Sequence, residues 1–113
     1  MKRIAGAVAV VLALTGTPAR AGQSRHLAIR KTAVGVKGAL HSDRAICTID
    51  QIVKVQKKTS SGWNTIARAR TDGNGAYRKQ VSLRTGKKYR TVAPESTSGS
   101  TTCQKAVSRT VLG

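Results

Sequence analysis

The chain has 113 residues, enough for one domain, and its 21 Lys and Arg against four Asp and Glu give a formal charge of +17. An excess of this size either attracts polyanions or serves solubility alone, and four carboxylates leave almost no material for paired-carboxylate hydrolysis. The chain has no Phe, one Trp and two Tyr, so Val, Ile, Leu and Ala must build most of the core.

The first 21 residues have the pattern of an export signal. Met1–Arg3 is basic, Ile4–Leu14 is apolar, and Ala19–Ala21 supplies small residues at the cleavage positions. The apolar run falls short of the roughly 20 residues of a membrane-spanning helix, so an uncleaved anchor is the weaker alternative. We predict a signal peptide over residues 1–21, a secreted or cell-envelope protein, and no transmembrane segment after cleavage.

Cleavage changes the charge of the protein only slightly. The 21 basic residues fall to 18, and the four acidic residues all remain, which leaves +14. Three basic residues leave with the signal: Lys2, Arg3 and Arg20.

Downstream of the signal, the alternation of apolar and polar residues predicts short strands. Residues 22–33 are predicted to be a polar leader that can include a first strand, and residues 34–113 the β-sandwich domain. In the first clear strand, Val34, Val36 and Leu40 are expected to face the core. Two glycines in it, Gly35 and Gly38, indicate an edge strand or a bulge.

The segment Ile52–Val81 predicts a three-stranded meander. Ile52–Lys57 is its central strand, and Trp63–Arg70 and Tyr77–Val81 follow after turns. In the second strand Ile66 falls on the charged side of the alternation, which indicates either a bulge near that residue or partial cover of the second face of the sheet.

The turn before the third strand reads Asp72, Gly73, Asn74 and Gly75. Asn-Gly supplies the positive φ angles of tight hairpins, and we expect Asp72 to accept backbone amides and Gly75 to be left-handed. A calcium loop would need more oxygen ligands and a closing Glu. The sequence therefore predicts a structural turn, no metal site and no cofactor.

Two later strands, Tyr89–Pro94 and Val107–Leu112, raise the total to six or seven. Short strands at this spacing predict an all-β fold, a single Ig-like antiparallel β-sandwich. Cys47 and Cys103 are the only cysteines, and in an oxidising compartment they are expected to form a disulfide. Closing a loop of about 57 residues contributes about 4 kcal/mol in the chain-entropy model.

Several features of this chain occur together in one kind of domain. They are the strand VKVQKK, the corner Thr71-Asp72-x-x-Gly75-x-Tyr77, and one cysteine before the central strand with another near the end. In these features the chain resembles small exported bacterial β-sandwich domains of the transthyretin-like kind, which are related to the carboxypeptidase regulatory-like domain and more loosely to collagen-adhesin B-type repeats. The resemblance covers about residues 34–112.

This resemblance implies a structural or binding module, and fold alone assigns no activity. The adhesin-type isopeptide bond needs a Lys, an Asn and a carboxylate in fixed places, and no suitable carboxylate is evident. His41-Ser42-Asp43 contains the residue types of a catalytic triad, but adjacent residues in a strand or turn point apart. We therefore predict that the protein is not an enzyme.

Basic residues at alternate strand positions give the functional hypothesis. Lys54, Arg68, Arg70 and Arg78 are predicted to form one basic face that binds an anionic cell-wall polymer or an acidic glycan, without nucleic acid specificity. The alternative is a structural or protein-interaction module that uses an exposed strand edge marked by Gly35 and Gly38, with charge that serves only solubility. Trp63 is expected to be the largest member of the core, a sugar-stacking role being the alternative.

Overall fold

The computed structural model describes residues 22–113, and the predicted signal peptide lies outside them. The described residues form eleven short strands and one 3-10 helix, Ala45–Cys47, and contain no helix long and apolar enough to cross a membrane. The strands are β1 (His26–Leu27), β2 (Arg30–Lys31), β3 (Gly35–His41), β4 (Ile52–Thr59), β5 (Gly62–Arg70), β6 (Ala76–Gln80), β7 (Lys88–Ala93), β8 (Ser96–Ser98), β9 (Thr101–Cys103), β10 (Ala106–Val107) and β11 (Val111–Leu112).

The strands form two antiparallel sheets and a small hairpin. In the four-stranded sheet β3 is central: β1 and β2 pair with it on one side and β6 on the other. The five-stranded sheet has the order β10-β7-β4-β5, with β11 also paired to β7, and β8 pairs with β9. These two packed sheets confirm the prediction of an all-β, sandwich-like domain.

The core lies between the inner faces of the sheets. Val36 and Leu40 come from the four-stranded sheet, and Val53, Val55 and Tyr89 from the five-stranded sheet, all almost fully buried. Because side chains alternate along a strand, the residues between them point to the outer faces.

The disulfide prediction is confirmed. Cys47 and Cys103 are bonded and fully buried, which ties the 3-10 helix after β3 to strand β9. Arg25 strengthens this end of the molecule, because its guanidinium donates to the carbonyl oxygens of Cys47, Gln104 and Pro94 at 3.2, 2.7 and 2.7 Å. The leader is therefore held in the fold, and β1 and β2 are part of the four-stranded sheet.

The predicted three-stranded meander is wrong in its third strand. Only β4 and β5 pair with each other, and β6 crosses to the other sheet. The chain is turned at Thr71, whose buried hydroxyl donates to the Thr48 carbonyl and accepts the Gln51 amide. Beyond it, the Gly75 carbonyl accepts the Leu40 amide at 2.8 Å, which directs β6 along β3.

The prediction that Gly35 and Gly38 mark an edge strand is also wrong, since β3 is paired on both sides. A Cβ at Gly35 would overlap the Lys79 carbonyl oxygen, and a Cβ at Gly38 would overlap that of Ala28. Both glycines are thus required by close backbone approach in a central strand.

Two finer predictions on side-chain direction had opposite outcomes. Val34 precedes β3 and is 61% exposed, so it does not face the core. The bulge in β5 is confirmed: the β4–β5 register shifts between Val55 and Gln56, which pair with Ala67 and Thr65 and leave Ile66 unpaired. The extra residue at Ile66 keeps Trp63 and Arg68 on the same face despite their odd separation.

Candidate functional site

The structure divides the four residues of the predicted basic face between two sheets. Lys54 on β4 lies directly opposite Arg68 on β5, and Arg70 follows two positions later on the same face. Arg78 is on β6 in the four-stranded sheet. The predicted single patch is therefore split into a group of three on the five-stranded sheet and Arg78 on the four-stranded sheet, because β5 and β6 are not paired; Arg78 and Arg70 line one groove between their strands.

Strand register adds three more cations to the group of three. On β7, Lys88 and Arg90 alternate with the buried residues Tyr89 and Thr91, so they point outward. On β4, Lys58 lies on the same side of its strand as Lys54 and also points outward. None of the strands of this sheet contains Asp or Glu. We call the resulting set the basic face; its members are Lys54, Lys58, Arg68, Arg70, Lys88 and Arg90.

Trp63 lies on the basic face, and the prediction that it is the largest core residue is wrong. It is half-buried at the outer surface, where the Arg90 guanidinium carbon is 4.3 Å and the Lys58 ammonium 5.7 Å from its ring centroid. These are cation–π distances. Tyr89 is the largest fully buried side chain, and its hydroxyl accepts the Arg84 amide at 2.8 Å.

A hydrogen-bonded row fixes Arg90 on the indole. Its Nε donates to Gln56 Oε1 at 2.9 Å, and Gln56 Nε2 donates to Thr65 Oγ1 at 3.3 Å, so the row crosses three strands. The Arg90 Nη atoms make no hydrogen bond within residues 22–113. A stacked guanidinium with its Nη edge open is already oriented for two-point binding of a phosphate, sulfate or carboxylate group.

Lys88, Arg90 and Gln56 are not among the residues that the sequence predicts for the basic face. The signal that identifies the first two is the period-two alternation of β7, in which Tyr89 and Thr91 are the inward positions. The Arg90–Trp63 stack was not accessible in this way, since it joins strands that are not neighbours in the sheet.

Only one salt bridge is present in the described part of the chain. Arg70 Nη1 lies 3.3 Å from Asp50 Oδ1, and both side chains are mostly exposed. A pair of this kind contributes little to stability. The other five cations of the basic face have no carboxylate partner among residues 22–113.

The Asp72–Gly75 turn forms as expected for a structural corner. Asp72 Oδ1 accepts the amides of Asn74 and Ala76 at 2.8 and 3.0 Å, and these hydrogen bonds lower the pKa of the Asp72 carboxyl. Gly75 has φ +79°, the left-handed conformation expected for it. Within residues 22–113, no three His, Cys, Asp or Glu side chains are grouped so as to hold a metal ion.

The two histidines lie opposite each other at the ends of β1 and β3. The rings of His26 and His41 stack with their centroids 6.2 Å apart. Ser42 Oγ accepts the Arg44 amide at 3.3 Å, and in the described residues no hydrogen bond joins Ser42 to His41 or Asp43.

Comparisons with known proteins leave the family open. No protein-family model matches the chain, and neither a curated protein nor a solved structure matches it significantly. The geometry above is therefore the basis for functional inference.

Proposed function

We propose that the protein is a secreted, non-catalytic β-sandwich module of the cell envelope or extracellular space that binds anionic polymers through the basic face. The observation that carries this proposal is the concentration of six cations on one sheet face whose strands contain no acidic residue. The proposed ligand class is an anionic cell-wall polymer or an acidic glycan. We also assign the fold to the transthyretin-like or carboxypeptidase regulatory-like type, on the corner Thr71, Asp72, Gly75 and Tyr77.

The spacing of the cations suits a chain of repeated charges. Directly opposite side chains such as Lys54 and Arg68 have Cβ atoms about 5 Å apart, and Arg68 and Arg70 are about 7 Å apart along their strand. Contacts of this type are additive, salt-sensitive and almost independent of sequence. Six such contacts to a phosphate polymer predict an affinity loss of about a thousandfold between about 50 and 200 mM salt.

The test is co-sedimentation with purified cell wall, with and without its anionic polymers, across a salt series. We expect binding that requires the anionic polymer and falls steeply with salt. Lys54→Gln/Arg68→Gln removes two contacts and is expected to reduce the slope of log affinity against log salt by about two. The matched control is Arg44→Gln/Lys87→Gln, which removes two exposed loop cations. Equal slopes for the two double variants would reject the basic face.

A protein partner is the second candidate function. Ile52, Val107 and Leu112 are exposed aliphatic side chains on the same outer face as the cations. The exposed strand edge that the sequence predicts at Gly35 and Gly38 cannot bind this partner, because β3 is paired on both sides. A partner held by the aliphatic residues would bind equally well at low and high salt, and the cations would then serve solubility.

A further inference from the structure

Three cations form a row across the outer face of the four-stranded sheet. Lys37 on β3 lies directly opposite Arg30 on β2 and directly opposite Arg78 on β6. Val36 and Leu40 on the same central strand are buried, so Lys37 and its two neighbours point away from the core. We call Arg30, Lys37 and Arg78 the cation row.

Among residues 22–113, no salt bridge joins the cations of this row to a carboxylate. Directly opposite like charges repel at Cβ separations of about 5 Å. A shallow groove contains the row together with Arg70 and Asp72, but the Asp72 carboxylate already accepts two backbone amides of its own turn. An external anion in this groove would remove the repulsion, and its binding would then stabilise the fold.

The row and the basic face point in opposite directions. The two sheets pack through their inner faces, since Tyr77 of β6 and Thr91 of β7 are hydrogen-bonded at 2.9 Å inside the core. The outer faces of such a sandwich lie on its two opposite sides. A straight polymer chain over the middle of the basic face, at Lys54 and Arg90, is thus separated from the cation row by both sheets. Arg70, at the end of β5, is the member of the basic face that also lines the groove of the cation row.

We propose that the protein bridges two anionic polymer chains, one on the basic face and one on the cation row. This inference rests on the proposed function for the first face and assigns a second binding surface to the other. Each surface binds weakly and is salt-sensitive, but a polymer with many repeats binds many copies of the module, so the two chains are joined with high avidity. The protein then acts as a cross-linker of the polymer network.

The experiment uses long-chain inorganic polyphosphate as a defined probe. One sample is immobilised on a surface, the protein is bound to it at low salt, and a second, fluorescently labelled sample is added after washing. The readout is the labelled polymer captured per bound protein. We expect capture by the wild type, and about tenfold less capture by Lys37→Gln/Arg78→Gln, because that variant loses the avidity of one surface.

The controls separate the two proposals. Arg44→Gln/Lys87→Gln removes the same charge from loops and should capture like the wild type, and Arg30→Gln/Lys37→Gln repeats the test if the Arg78 variant folds poorly. Capture by both cation-row variants at the level of the loop control would overturn bridging. If instead Lys54→Gln/Arg68→Gln binds and captures like the loop control, the proposed basic face is wrong while the cation row is retained.

Discussion

At the scale of single residues, Arg90 and Trp63 are the most specific part of the basic face. The guanidinium lies 4.3 Å from the indole centroid and its Nε is bonded to Gln56. The stack and the hydrogen bond fix its plane before any ligand arrives, so less conformational entropy is lost on binding. Lys residues elsewhere on the face supply charge without a fixed direction.

The first prediction follows from this geometry. Arg90→Lys keeps the charge but loses the planar fork and the Nε hydrogen bond, so we expect polyphosphate affinity to fall about tenfold, the equivalent of about 1.4 kcal/mol. Trp63 is the only tryptophan in the chain, so its fluorescence reports binding next to Arg90 directly. The measurement is a fluorescence titration with polyphosphate at low salt.

The control for this titration is Arg84→Lys, a change of the same type in the loop before β7. It should leave both affinity and the fluorescence response unchanged. An unaltered titration for Arg90→Lys would mean that Arg90 acts only as a charge and that its stacking has no part in recognition.

At the scale of elements, the two sheets are joined by a buried tyrosine. The Tyr77 hydroxyl on β6 donates to the Ala28 carbonyl at 2.7 Å and pairs with Thr91 Oγ1 on β7 at 2.9 Å. Burial raises the pKa of the Tyr77 hydroxyl, which keeps it neutral and able to donate. Since Tyr77 donates to Ala28, the Thr91 hydroxyl must donate to Tyr77.

The second prediction uses this direction of donation. Tyr77→Phe leaves the Thr91 hydroxyl and the Ala28 carbonyl without this partner, and we expect it to lower the free energy of unfolding by about 1–3 kcal/mol. Thr91→Val leaves the Tyr77–Ala28 bond in place and should cost less. The double variant should cost less than the sum of the two, as measured by urea unfolding in a double-mutant cycle. Strict additivity would contradict the proposed hydrogen bond.

The strands and turns differ in how far the sequence predicts them. Strand positions, the bulge at Ile66 and the conformation of Asp72–Gly75 follow from local alternation and turn chemistry. The partner of β6 does not, because an Asp-Gly-Asn-Gly turn fits both a hairpin and a corner between sheets. The choice is made by Thr71 and by the Leu40–Gly75 backbone bond, contacts with residues more than 20 positions away.

The pairing of β6 with β3 also explains why the predicted basic face wrongly included Arg78. The sequence predicts that Arg78 lies near Arg68, because a meander would place their strands side by side, whereas the crossover puts Arg78 opposite Lys37. The size of Trp63 predicts a core position, and a sequence does not reveal that Tyr89 fills that place. Lys54 and Arg68 were grouped correctly, since β4 and β5 are joined by a short turn.

At the scale of the whole molecule, few strong interactions stabilise the folded state. The core consists mainly of Val, Leu, Ile and Ala with two tyrosines, one exposed salt bridge is present among residues 22–113, and a charge of +14 remains after predicted cleavage. Self-repulsion of this kind destabilises the compact state. The disulfide therefore contributes a large share of the free energy of unfolding, since that free energy is only about 5–15 kcal/mol for native proteins.

The last prediction concerns the separation of stability from binding. Cys47→Ser/Cys103→Ser should lower the free energy of unfolding by about 4 kcal/mol, because the unfolded chain regains the entropy that the closed loop removes. The disulfide joins the 3-10 helix to β9, and neither element carries a residue of the basic face. Below its lowered melting temperature, the variant should therefore bind polyphosphate with the affinity of the wild type. Urea unfolding and the Trp63 titration measure the two quantities on the same sample. Reduced affinity in a variant that remains fully folded would show that the disulfide positions the binding face, in contradiction to a site built by the β4–β5–β7 ladder alone.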